Sequence, residues 1–160
     1  MILLVLSCDS SNESDVIEMT VAGTAIPNTV GEKHFLNFKT KVDAQSEGAL
    51  KLKMLIHGQL GSEENLVSGL RRNRVHFANL SAIITSTLIP ETALLYAPYL
   101  FDNEKEADFV YVNYLTQIFT ELLAAKGLQF ISWSEIGLHN VYGKEHILLP
   151  EDAKGTRYRV

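Results

Sequence analysis

Apolar and polar positions along the chain switch between a period of two and a period near four. Val16 to Gly23, VIEMTVAG, is β-rich and closes on glycine, which predicts a first strand. Thr29 and Glu32 in TVGE have capping-box spacing. Behind them Val30, His34, Phe38 and Val42 fall four apart, predicting a helix that buries that line and ends near Gly48. Leu50, Leu52, Met54 and Ile56 then alternate with two lysines, the pattern of a half-buried strand. After the turn HGQLG, Ser62 and two glutamates open a helix through Leu66 and Leu70. VHFANL is a short third strand.

Pro90 and Pro98 break the apolar stretch that follows, so it is not one long helix. Asn103 caps the longest helix, whose expected buried stripe is Ala107, Val110, Tyr114, Ile118 and Leu122 and whose end is Lys126-Gly127. LQFISW and HNVYGKEHI are further predicted strands, PEDAKG a turn, and TRYRV a last strand. Strands and helices alternate throughout, which implies an α/β fold with a mainly parallel sheet.

The chain has 160 residues, 46% hydrophobic and 21% charged, the composition of one ordinary folded domain. A net charge of −5 argues against a broad nucleic-acid surface. The only basic cluster, Arg71, Arg72 and Arg74, reads as a solvated helix C-terminus. No Gly-rich phosphate loop and no nucleophile elbow occur, so no cofactor is implied. The five histidines lack metal-ligand spacing, and Glu63-Glu64, Glu104 and Glu106 read as helix N-terminal charges. NES at Asn12 and NLS at Asn79 match glycosylation sequons that short polar triplets often produce by chance.

Cys8 is the single cysteine, which excludes an internal disulfide. MILLVLSC followed by DSSNES resembles the end of a bacterial lipoprotein signal, whose cysteine is acylated. The apolar run is short and no Lys or Arg precedes it, so the match is either a trimmed signal or chance. No other segment approaches the roughly 20 apolar residues that span a bilayer. Arg157 and Arg159 stand two apart on the last predicted strand and so share a face. They are solvated surface residues or a grip for a carboxylate, which arginine holds through two parallel hydrogen bonds.

Several stretches in order resemble the dicarboxylate-binding type of periplasmic solute-binding subunit of TRAP (tripartite ATP-independent periplasmic) transporters. They are TAIPNTVGEKHFLNFKTKV, the segment around HGQLGSEENLV, IPETALLYAPYLFDNEKEADFVY, and AAKGLQFISWSEIGLHNVYGKEHILLPEDAKGTRYRV. Together they cover roughly residues 16–160, and the GQLG turn, APYLFD and the closing PEDAKGTRYRV are specific in combination.

The resemblance implies a periplasmic-binding-protein-like first lobe at 15–134, after a signal remnant and tether at 1–14. Residues 135–160 would be the crossing and first strands of an incomplete second lobe. It further implies a non-enzymatic periplasmic protein that closes over a small carboxylate-bearing solute and delivers it to membrane subunits. Membrane contact would occur only through a lipid anchor at Cys8.

By the same resemblance Arg159 pairs with the solute carboxylate. Asn28, Asn79 and Ser81 line the cleft from the loops after the first and third strands. Trp133, near the crossing, fits a cleft wall and a core equally. Leu138 and His146 depart from the aromatic and the proline expected there.

Family members run to about twice this domain-sized length, so the chain is expected to be an N-terminal portion. Its exposed sheet edge would favour self-association. Two other readings stand beside this one: a single-lobe fragment without a transport role, and a small α/β enzyme whose carboxylate site leaves no motif.

Overall fold

A computed structural model describes residues 16–135, 143–144 and 146–157. Its frame is a three-stranded parallel sheet of order β2-β1-β3, with β1 at Ile17–Ala22, β2 at Leu50–Leu55 and β3 at Phe77–Ala78. Helix α1, Val30–Gln45, connects β1 to β2, and α2, Glu63–Arg71, connects β2 to β3. β1 is paired along its whole length, from Ile17 opposite Leu50 to Ala22 opposite Leu55. On its other side Val21 and Ala22 pair with Phe77 and Ala78.

Alternation along β1 sends Val21 and Ala22 to opposite faces, and both are buried because each face is covered by a helix. Val21 joins Phe35, Leu52 and Ile56 under α1. Ala22 joins Leu66 and Val75 under α2. Gly23, where β1 ends, is required by packing, since a Cβ there would overlap the ring of Phe35.

Beyond the sheet come α3, Ala82–Thr85, and a 3₁₀ segment, Pro90–Tyr96, that begins on the expected proline. The longest helical run then starts behind Asn103, whose side chain accepts the Glu106 N–H at 3.1 Å. It comprises α4, Glu104–Val110, a π-turn at Tyr111–Leu115, and α5, Thr116–Ala124. Gly127, at φ 75°, ends it, with the Leu128 N–H donating to Leu123 O at 3.0 Å.

Three local expectations change. In α1 Phe35 is buried and Phe38 and Val42 are half-buried beside it, while Val30 and His34 are exposed, because positions four apart drift around a helix of 3.6 residues per turn. In the long helix the π-turn inserts a residue and rotates the inward face. Ala107 and Phe119 are buried, whereas Tyr114 and Ile118 are 60% and 50% exposed. Among the described residues LQFISW makes no ladder: its Trp133 packs against α5 through Phe119 and a hydrogen bond to Thr116. Among the described residues near the end, Pro150–Ala153 is a 3₁₀ turn. The strands predicted at HNVYGKEHI and TRYRV fall largely outside the described residues.

Candidate functional site

In an open parallel sheet, ligands bind beyond the carboxyl ends of the strands, where connections diverge to the two faces. With β1 between β2 and β3, that place is the C-terminal end of β1, and three loops meet there. The first two are joined through the main chain. Gly23 N–H donates to Leu55 O at 3.1 Å, Ala25 N–H to Ile56 O at 2.8 Å, and Gly58 N–H to Gly23 O at 2.9 Å. Thr24 and His57 form an antiparallel bridge.

Asn28 lies on the β1–α1 loop, exposed and left-handed at φ 65°, a conformation asparagine tolerates better than most residues. Its N–H donates to Glu32 Oε2 at 2.7 Å. Thr29 then caps α1, its hydroxyl oxygen accepting from the Glu32 N–H and donating to Ile26 O at 2.6 Å. The other Glu32 oxygen, Oε1, lies 3.2 Å from His57 Nε2, and His57 Nδ1 lies 3.1 Å from Ala25 O.

The third loop leaves β3. Asn79 is exposed, its N–H donating to Ala22 O at 3.3 Å. Its side-chain amide donates to Ser134 Oγ at 3.3 Å, which brings the segment after α5 to the same edge. Ser81 is half-buried and caps α3. Its oxygen accepts the Ile84 N–H at 3.3 Å, while its own hydroxyl donates to Glu63 Oε2.

Trp133 adjoins Ser134 but faces a cluster of rings. It stacks on Tyr111 at 5.0 Å and meets Phe119 edge-on at 5.3 Å and Phe130 at 5.0 Å. Its indole N–H donates to Thr116 Oγ1 at 2.9 Å, and that hydroxyl donates to Tyr111 O at 2.9 Å across the π-turn. Trp133 is therefore a half-buried member of this ring cluster. Beside it, burial first, and then the hydrogen bond to Asp108 and the charges of Asp108 and Glu104, hold the Glu135 carboxyl above its usual pKa. Burial, followed by the charges of Glu135 and Asp108, likewise raises the Tyr111 phenol.

The fold thus brings Asn28, Asn79 and Ser81 to one sheet edge and ties Asn79 to the neighbour of Trp133. Arg159 and Cys8 lie outside the described residues. The sequence reading missed Glu63, His57 and Ser134 as residues that fix these loops. The only signal for His57 and Ser134 was position, each standing directly after a predicted strand, and Glu63 stood out only as a helix N-terminal charge. Two surface hollows lie elsewhere. One, of about 250 Å³, is lined by Glu64, Val67, Ser68, Arg71 and Arg72; the other, of about 370 Å³, by residues 102–105. Among the described residues no helix is long and apolar enough to cross a membrane, and no group of His, Cys, Asp or Glu is placed to hold a metal.

The family model for bacterial extracellular solute-binding proteins, family 7, matches residues 21–160. Protein YiiZ of Salmonella typhimurium is 30% identical over 129 residues, covering 79% of this chain and 39% of the relative. The C4-dicarboxylate-binding periplasmic protein DctP of Shewanella loihica is 22% identical over 143 residues, 89% of this chain and 43% of that one. Among solved structures, the sugar acid binding protein DctPAm of Advenella mimigardefordensis, in complex with galactonate, superposes with a TM-score of 0.67 at 28% identity. That superposition covers 71% of this chain and 36% of the other. The chain spans well under half the length of these relatives. It belongs to family 7 of the bacterial extracellular solute-binding proteins, the TRAP-type solute-binding family.

Proposed function

We propose that this chain forms one wall of the solute cleft of a TRAP-type binding protein and captures a small organic acid outside the cytoplasm for transfer to membrane subunits. The observation that carries the reading is the meeting of the β1–α1 loop, the β3–α3 loop and Ser134 at the diverging edge of the parallel sheet, in a family of solute-binding proteins. Arg159 is the anchor for the carboxylate, and Asn28, Asn79, Ser81 and Trp133 line the wall. Residues 15–134 act as the first lobe and 135–160 as the crossing, with Cys8 the point of lipid anchoring. The solute is held by charge and hydrogen bonds and released unchanged.

Among the described residues, the donors left open on this wall fit an anion. Asn28 offers its side-chain amide, and Asn79 one amide hydrogen beyond that given to Ser134. The Ser81 hydroxyl already donates to Glu63, so it serves by position rather than as a donor. Thermal unfolding in the presence of succinate, malate and galactonate tests the reading. A binding acid raises the melting temperature, by about 2.7 kcal/mol of stability at a hundredfold excess over its Kd, and is recovered intact. An acid consumed by the protein would contradict the reading, as would identical melting with all three.

A further inference from the structure

The Asn28 main chain is held at the C-terminal end of the sheet by a side chain on the first turn of α1. Its N–H donates to Glu32 Oε2 at 2.7 Å, a charge-assisted bond to a carboxylate only four residues ahead. Left alone, such a carboxylate on the first turn of a helix rotates among rotamers. Here its second oxygen lies 3.2 Å from His57 Nε2. The imidazole is in turn held by Ala25 O, 3.1 Å from Nδ1, while the Thr24–His57 bridge fixes the main chain that carries it. Ala25 O and the Glu32 carboxylate are both acceptors, so the ring serves both at once when each nitrogen carries a proton. The main-chain N–H of His57 donates to Gln59 Oε1 at 2.7 Å, which sets the start of the β2–α2 loop.

We infer that His57 is a positioning residue for the solute site: acting through Glu32, it holds the Asn28 backbone left-handed so that the Asn28 amide is presented at the sheet edge. The side chain of His57 reaches the β1–α1 loop at Ala25 and Glu32 and does not bond Asn28, so its effect there is indirect. This inference rests on the proposed function for its purpose, but not for its geometry. Loss of the imidazole frees one Glu32 oxygen, loosens the carboxylate, and weakens the bond that fixes φ at Asn28.

The test is heteronuclear NMR on the 160-residue chain, free and with succinate, malate or galactonate. In the free protein, His57→Ala is expected to move the Asn28 amide proton upfield, toward its position in Glu32→Ala. His57→Gln, which restores a donor toward Glu32, should recover part of the shift. Lys53→Ala, which removes an exposed strand lysine, serves as the control. An Asn28 amide unmoved in His57→Ala overturns the inference, even where the melting temperature falls, because a merely structural histidine would give that result. A chain that binds none of the three acids would remove the proposed function, while the free-protein shift would still decide the role of His57.

Discussion

Glu63, the first residue of α2, accepts the main-chain N–H of Ser81 with both carboxylate oxygens at 3.2 Å and the Ser81 hydroxyl through Oε2. One acidic side chain thus ties the start of α2 to the loop that leaves β3, across 18 residues of sequence. The hydrogen bonds are charge-assisted and partly buried. Glu63→Ala is therefore expected to cost about 1–3 kcal/mol, and Glu63→Gln less, since the amide keeps one acceptor. Urea unfolding of the three proteins measures both.

Asn28 separates backbone from side-chain roles. At φ 65° glycine is unstrained, so Asn28→Gly should leave stability within about 0.5 kcal/mol, whereas Asn28→Ala should cost about 1 kcal/mol. Both variants lose the amide and should bind organic acid more weakly. Retained affinity in Asn28→Gly would remove the side chain from the site.

Trp133 and Thr116 share one hydrogen bond at 2.9 Å that closes the π-turn against the segment after α5. Trp133→Phe keeps a ring among Tyr111, Phe119 and Phe130 but loses the donor, at an expected cost of about 1 kcal/mol. Thr116→Val should cost about as much. The double variant should cost clearly less than their sum, as a double-mutant cycle would record.

Glu135 sets a pH dependence. Its pKa is raised in the fold by burial and by Asp108, so the fold favours the protonated form. That contribution is complete below the ordinary carboxylate pKa and is lost as pH rises through the higher folded value. Glu135→Gln, which stays neutral, should therefore melt higher than the parent at neutral pH. The gap should close on acidification below the usual Glu range. A gap that widens in acid would contradict the assignment.

The sheet was legible because its elements follow period and caps. Leu52 and Ile56 are buried as their alternation with Lys51 and Lys53 requires, and Thr29 and Asn103 cap the helices expected of them. What the pattern missed has physical causes. A four-residue repeat in α1 was read as straight where the helix rotates, so Phe35 was overlooked. The π-turn at Tyr111 is stabilised by Trp133, 17 residues beyond Thr116, which no local period encodes. LQFISW is β-prone, but among the described residues it meets rings rather than a strand. Asn28, Asn79 and Ser81 were named through the family resemblance, and the fold places all three on loops that leave the C-terminal ends of strands. Glu63 and His57 act through bonds of long sequence separation and carry no signature of their own.

The most direct measurement is amide and indole chemical-shift mapping of the parent chain and Arg159→Ala during titration with succinate, malate and galactonate. The expected result is a set of shifts centred on Asn28, Asn79, Ser81 and the Trp133 indole that is lost in Arg159→Ala. Shifts centred instead on the α2 hollow at Glu64, Val67 and Arg71, or shifts indifferent to Arg159, would contradict the reading of this sheet edge as a carboxylate site.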